Sequence, residues 1–163
     1  MQKEAFLSTP DLPPDRRAAA VKVLHLPVAF GDAADKVTIL EIKLERIADP
    51  QKHENISREL ALVSAALFGA IERTPEFDVL FARLKDVNER LWDIEDAIRE
   101  CEARRHFGAE FVRLARGVYR HNDERARLKR EINAVMGSAI VEEKSYAPYA
   151  PAQDSVAQEG TPP

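Results

Sequence analysis

The apolar residues of two segments in this chain recur at alternating steps of three and four, the repeat of helices that pack along a shared seam. The first segment has an unbroken run: Phe77, Leu80, Leu84, Val87, Leu91, Ile94, Ile98 and Cys101. The second has a gap: Phe111, Leu114, Val118, Leu128, Ile132 and Val135. His121 and Arg125 occupy the positions in the gap. Because a polar side chain on a core stripe costs stability unless it has a partner, these two residues are the strongest indication of a site.

Helix start and stop signals divide the pattern into four helices. Asp32 is the expected N-cap of the first, and Asp49-Pro50 and Thr74-Pro75 mark the next two starts. The predicted helices cover about 32–48, 50–73, 75–105 and 109–136, with Gly137 as the last C-terminal cap. Short connections make sequential helices antiparallel, so the sequence predicts an all-α antiparallel helical bundle with a long coiled-coil-like hairpin.

Only the middle of the chain has this periodicity. Residues 1–27 contain three prolines before residue 15 and predict an irregular arm with a short extended segment near residues 21–26. Residues 28–146 form the predicted bundle domain. Residues 147–163 are rich in Pro, Ala and Gln and predict a disordered tail.

Composition and motifs exclude several classes of function. With 28 acidic and 24 basic residues the chain has no basic field for nucleic acid. It has no apolar run of membrane-spanning length, and its N-terminus lacks the apolar core expected of a signal peptide. Its single cysteine, Cys101, indicates a buried thiol in a reducing compartment. We therefore expect a cytoplasmic protein. The histidines lack zinc-site spacing, and phosphate-loop and serine-nucleophile motifs are absent from the sequence, so we predict no metal, no cofactor and no catalytic residue.

The hairpin register places possible partners opposite the two polar positions. Residues whose numbers sum to about 214 lie at the same height, by the rise per residue of a helix. His121 then lies near Glu95, and Arg125 lies near Asn88. A carboxylate beside a histidinium or guanidinium makes burial of either tolerable, so Glu95 is the expected partner.

The first helix adds basic residues to this group. Its wheel leaves Thr38, Glu41 and Glu45 as the polar face and places three basic residues within a wide apolar arc. The candidate ligand-binding residues are Lys36, Lys43, Arg46, Asn88, Glu95, His121, Asn122 and Arg125. Two interpretations stay open, an anion-sized pocket between helices or a polar layer that only fixes the helix register.

Several blocks of the sequence are shared with a known family: 35–47 (DKVTILEIKLERI), 91–96 (LWDIED), 107–108 with Tyr119, 122–133 (NDxRxxLKxxIN), 137–138 and 141–146 (VEEKSY). They resemble an uncharacterised bacterial domain family of small helical proteins, often associated with glycosyltransferase or cell-surface polysaccharide genes. The resemblance covers about residues 28–146 and includes Lys36, Lys43, Asn122 and Arg125. It implies a helical fold and no particular activity.

Two functions from different classes follow. The leading interpretation is a non-enzymatic interaction protein that binds a protein partner or forms a homo-oligomer. The family resemblance implies an accessory role in surface-polysaccharide synthesis. The alternative is a small helical enzyme or binding protein with an anionic-ligand pocket, similar to the all-helical chorismate mutases. There Lys36, Lys43 and Arg125 would bind carboxylates and Glu95 a hydroxyl, although the arginine pattern of that family's first helix is missing here.

Overall fold

Four helices make up the computed structural model, which describes residues 23–143. They are α1 (Phe30–Arg46), α2 (Pro50–Ala70), α3 (Pro75–Ala103) and α4 (Ala109–Val135). No strand occurs within the described residues, and the predicted all-α helical bundle is confirmed. The predicted tail and most of the predicted N-terminal arm lie outside the described residues.

The capping signals fix the starts of α2 and α3. Asp49 accepts hydrogen bonds from the backbone N–H groups of Gln51 and Lys52, at 2.9 and 3.3 Å. Thr74 Oγ1 accepts one from the N–H of Phe77 at 3.2 Å. Both helices begin with the predicted proline, whose missing N–H would have no partner in a first turn anyway.

The predicted start of α1 is wrong. Ala29 is the N-cap and gives no side-chain hydrogen bond, while Asp32 lies inside the first turn. The carboxylate of Asp32 instead pairs with the Lys129 ammonium of α4, with 2.6 Å between Oδ1 and Nζ. The Asp32 side chain, which local capping rules assign to the start of α1, is therefore used in a contact with α4.

Thr74→Ala is expected to lower the free energy of unfolding by about 1 kcal/mol, the usual contribution of an N-cap side chain. Urea denaturation followed by circular dichroism measures the change. Thr74→Ser is the matched control, because serine keeps the accepting hydroxyl and should stay near the wild-type value. Equal losses in both variants would assign the effect to the threonine methyl group and not to the cap.

Helix α1 is the central element, since it packs against each of the other three helices. The side chains with almost no exposed surface come from α1, α3 and α4: Val37, Leu40, Ile42, Phe77, Leu84, Val87, Leu128 and Ile132. Helix α2 lies outside this group and joins it through Leu67 and the ring of Phe68, whose centroid lies 6.5 Å from that of Phe77.

The central position of α1 corrects the predicted polar face. Thr38, expected on the solvent side with Glu41 and Glu45, is fully buried. Asp35, one turn before it, is also buried. A helix with neighbours on several sides has no single face for water, so its helical wheel does not show which polar residues are exposed.

The long hairpin of α3 and α4 follows the sequence pattern closely. Helix α4 passes through Gly117 and Asn122 without a break, as the phase of its apolar positions predicts. A Cβ added at Gly117 would lie 3.1 Å from Cδ1 of Ile94, which puts these residues within one turn of the predicted register. Cys101 is buried, and Gly137 ends the helix with φ of +64°.

Candidate functional site

A buried polar network joins α1, α3 and α4 where the apolar seam of α4 is interrupted. Arg125 donates from Nε to Asp35 Oδ1 at 2.8 Å and from Nη2 to Asp35 Oδ2 at 2.5 Å, a bidentate ion pair. Asn88 Nδ2 donates to Asp35 Oδ1 and to Thr38 Oγ1, both at 2.9 Å. Asp35 and Asn88 are each 6% exposed and Thr38 is 0% exposed, so the network is part of the core.

The ion pair settles the charge state of its arginine. Hydrogen bonding to Asp35 raises the pKa of Arg125 above its ordinary value, against the opposing effect of burial. The guanidinium therefore stays charged, and its charge is matched by a carboxylate inside the protein. Only Nη1 points away from Asp35, toward Asn122 Oδ1 at 3.5 Å.

An open groove of about 400 Å³ lies beside this network. Its apolar residues come from α1 and α3: Ile39, Ile42, Leu91 and Trp92. Its polar residues come from α3 and α4: Asn88, Glu95, Asp96, Arg99, Asn122 and Arg125. Concave sites of this volume are typical of small-molecule binding.

Four of the eight candidate residues meet at this groove, namely Asn88, Glu95, Asn122 and Arg125. The expected pairing of Glu95 with the polar positions of α4 is wrong. Glu95 pairs with Arg99 on its own helix, at 3.0 Å, whereas the carboxylate that neutralises Arg125 is Asp35 of α1. The reason is geometric: α1 packs on the hairpin and brings a closer carboxylate than α3 does.

The other four candidates lie outside the groove. Lys36 pairs with Glu59 of α2, with 2.7 Å between the charged atoms, and Arg46 pairs with Asp93. Lys43 is half-buried on α1 and His121 Nδ1 donates to the carbonyl oxygen of Gly117 in its own helix at 2.8 Å. The predicted convergence of Lys36 and Lys43 with His121 and Arg125 is therefore not what the fold produces.

A second polar contact, which the apolar spacing does not predict, lies one turn along α4. The Lys129 ammonium is buried and lies 2.6 Å from Asp32 and 2.8 Å from Glu142. Burial alone would lower the pKa of Lys129, but hydrogen bonds to the two carboxylates outweigh it and the pKa is raised. One further turn along, Asn133 Oδ1 accepts a hydrogen bond from the N–H of Gly31 at 2.6 Å.

These contacts form a polar seam between α1 and α4. Arg125, Lys129 and Asn133 are four residues apart, so they lie along one face of α4. Opposite them lies the beginning of α1, with its two acidic residues Asp35 and Asp32. The sequence held a signal for this seam: polar residues at steps of four on one helix, and two carboxylates three apart on another.

A sequence model of a protein family matches residues 24–159, which include the polar seam and the groove. The chain belongs to DUF6165, a family of unknown function. The expected membership of an uncharacterised domain family is confirmed, whereas the bacterial origin and the association with polysaccharide genes stay predictions. No curated protein and no solved structure matches the chain at a significant level.

The described residues of this DUF6165 member meet the requirements of neither a membrane span nor a metal site. No helix in residues 23–143 is both long enough and apolar enough to cross a membrane. In the same range, His, Cys, Asp and Glu side chains do not gather in groups of three that could hold a metal ion.

A second groove, of about 360 Å³, lies between residues 23–28 and the helices α1 and α2. Most of its lining is apolar: Val23, Leu24, Leu26, Val28, Ala33, Leu62, Val63 and Ala66. Leu24 is 80% exposed and Leu26 is 67% exposed, so this segment keeps large apolar side chains in contact with water. Exposed apolar patches of this kind mark interaction surfaces.

The outer face of α2 continues this apolar surface. Residues 61–70 (ALVSAALFGA) contain no charged side chain. The exposed members of this stretch are Ala61, Leu62, Ala65, Ala66, Gly69 and Ala70. An outer helix normally carries charges toward water, as the first half of α2 does with Glu54 and Arg58.

Proposed function

We propose that this protein is a non-enzymatic interaction protein whose partner is a second copy of the same chain, bound through α2. The observation that carries the proposal is the uncharged, exposed second half of α2 beside the exposed apolar side chains of Val23, Leu24, Leu26 and Val28. Burying the exposed residues of 61–70 removes apolar area from water without removing the solvent around a charged side chain. The two charged residues beside residues 23–28, Asp32 and Lys36, have their partners Lys129 and Glu59 within the chain.

A second copy suits this surface better than a charged partner does. In a two-fold pair the same patch lies on both sides, so an uncharged face meets an uncharged face. Ala61, Ala65 and Gly69 are four residues apart on α2 and lack bulk, which lets a second helix approach closely. Homodimer interfaces are also the more apolar class of protein interface.

The interface has to include residues 23–28. A stable dimer buries roughly 800 Å² on each partner, and one helix face about 30 Å long is too narrow to supply that area. Leu24, Leu26 and Val28 border the same surface and extend it. Both parts of the patch therefore belong to one contact.

Ala65→Glu is expected to convert the dimer to a monomer, with a dissociation constant raised by roughly 100-fold, because two carboxylates would meet at the centre of the contact. Light scattering after gel filtration of the full chain, over a range of concentrations, measures this. Ala65 is exposed in an α-helix, so glutamate is compatible with the monomer fold.

Ala115→Glu is the matched control, since it makes the same change at an exposed alanine of α4. It should leave the dimer intact. Circular dichroism of both variants checks that the helices are retained. A wild-type chain that stays monomeric at every concentration, or two variants that dissociate alike, would contradict dimerisation through α2.

The anionic-ligand alternative has less support from the geometry. Lys36 and Lys43, which it needs beside Arg125, lie outside the groove. The charge of Arg125 is also already matched by Asp35. A dicarboxylate would therefore meet Glu95 and Asp96 without a free cluster of basic side chains.

A further inference from the structure

We infer that the groove between α1, α3 and α4 binds an uncharged ring-shaped ligand, one with an apolar face and hydroxyl or amide groups along its edge. This site is separate from the surface of α2 and does not depend on self-association. Its chemistry follows from three properties of the lining: a buried amide with an unused acceptor, charged side chains that are already paired, and an apolar floor that contains the single tryptophan.

The orientation of the Asn88 amide is fixed by its neighbours. The Thr38 hydroxyl donates its hydrogen to the backbone carbonyl oxygen of Asp35 at 2.9 Å, so Thr38 Oγ1 must accept from Asn88. Asp35 Oδ1 also accepts. Both contacts therefore need the NH₂ group of Asn88, and its carbonyl oxygen Oδ1 has to point away from the network.

That oxygen faces the groove. Within residues 23–143, no donor lies within hydrogen-bonding distance of Asn88 Oδ1. Every fully buried side-chain oxygen in this range does have a hydrogen-bond partner. Asn88 Oδ1 is therefore open to a solvent-filled space, and the space that Asn88 lines is the groove. A side chain that is 94% buried thus offers a rigid acceptor to a ligand, held in place by α1.

Asn122 supplies the complementary donor from α4. Its Oδ1 accepts the long contact from Arg125 Nη1, at 3.5 Å. Among the described residues, its Nδ2 group has no acceptor. An acceptor on α3 and a donor on α4 therefore face the same groove. Hydroxyl and amide groups of a ligand can both donate to the first and accept from the second.

The four charged side chains that line the groove are all paired within the protein. Arg125 is paired with Asp35 inside the protein, and Arg99 is paired with Glu95 and Asp96, at 3.0 and 3.4 Å. Arg99 has one charge against these two carboxylates, so an anion would be repelled, and a cation would have to compete with Arg99 for them. An uncharged polar ligand avoids both costs.

The floor favours a ring. Trp92 and Ile39 are half-buried and Ile42 and Leu91 are buried, and together they give the groove an apolar surface on which one face of a ring can lie. A pyranose sugar and a nucleobase both present such a face with polar groups at the edge. They are two sources of the same chemistry, and the experiment separates them.

Trp92 is the only tryptophan, so its fluorescence reports on this groove directly. The full chain is titrated with methyl glucoside, methyl galactoside and N-acetylglucosamine in one arm, and with adenosine and uridine in the other. Glucuronate is the charged counterpart of the glucosides. We expect a saturable fluorescence change with the neutral members of one arm and weaker binding of glucuronate.

Asn122→Ala should weaken that binding roughly 5-fold, the effect of one lost hydrogen bond. Asn55→Ala, at an exposed asparagine of α2, is the matched control and should leave binding unchanged. Binding in the saccharide arm or in the nucleoside arm identifies the source of the ring. The inference is overturned if no neutral probe gives a saturable change, if glucuronate binds more tightly than the glucosides, or if both asparagine variants behave alike.

Discussion

Arg125→Met is expected to lower the free energy of unfolding by about 3 kcal/mol, because it leaves the buried Asp35 carboxylate without its ion-pair partner. Two charge-assisted hydrogen bonds are lost, and one from Asn88 remains. The Arg125 side chain is 29% exposed, so water can replace part of what is lost, and the cost falls at the lower end for a buried pair. Urea denaturation measures the loss, and the melting temperature should fall by roughly 10 °C.

Arg127→Met is the matched control for this substitution. Arg127 lies two residues further along α4 and pairs with Glu124 and Glu131 on the protein surface. Its replacement should change the free energy of unfolding by no more than about 0.5 kcal/mol. Equal losses for the two arginines would show that burial of the Asp35 pair contributes nothing.

A double variant isolates the uncompensated charge. Asp35→Asn combined with Arg125→Met removes both charges and leaves polar and apolar groups of similar size. It should recover much of the stability that Arg125→Met loses, since a buried charge without a partner costs more than a neutral amide. Failure to recover any would mean that the packing of the arginine side chain, and not its charge, supports the fold.

The hairpin could be predicted from the sequence because its information is local. Each apolar position of α3 and α4 repeats at the spacing of a helix seam, and the turn between them sets the register. The starts at Pro50 and Pro75 were predictable for the same reason, since a cap and its helix are adjacent in sequence. Apolar core positions of the hairpin such as Leu84 and Leu128 follow from these features.

The polar seam could not be predicted in this way. Asp35 and Arg125 are 90 residues apart, and a register rule for the hairpin of α3 and α4 says nothing about how α1 packs against it. The gap in the apolar run of α4 correctly indicated that Arg125 needs a carboxylate partner. The identity of that carboxylate depended on the orientation of α1. Its Thr38 and Asp35 are buried, but threonine and aspartate are also common on protein surfaces, so residue type alone does not show the burial.

Gly31→Ala is expected to lower the free energy of unfolding by about 3 kcal/mol, at the upper end for overpacking, because α1 and α4 touch through their backbones at this residue. A Cβ at residue 31 would lie 2.3 Å from the carbonyl oxygen of Lys129 and 2.9 Å from its Cα. Backbone atoms of a helix cannot move aside as a side-chain end can, so α1 would shift away from α4. That shift lengthens the hydrogen bond from Gly31 to Asn133 and separates Asp32 from Lys129.

Gly69→Ala is the matched control, because a Cβ at Gly69 meets nothing within 4 Å and the residue lies in the last turn of α2. This change should raise the free energy of unfolding by up to about 1 kcal/mol through helix propensity. Both variants are compared by urea denaturation in the Ala65→Glu background, so that self-association does not contribute. The same methyl group is added in both variants. Changes of opposite sign in the free energy of unfolding would therefore locate the loss in the contact between α1 and α4. A stabilising Gly31→Ala would instead mean that α1 accommodates the methyl group without moving away from α4.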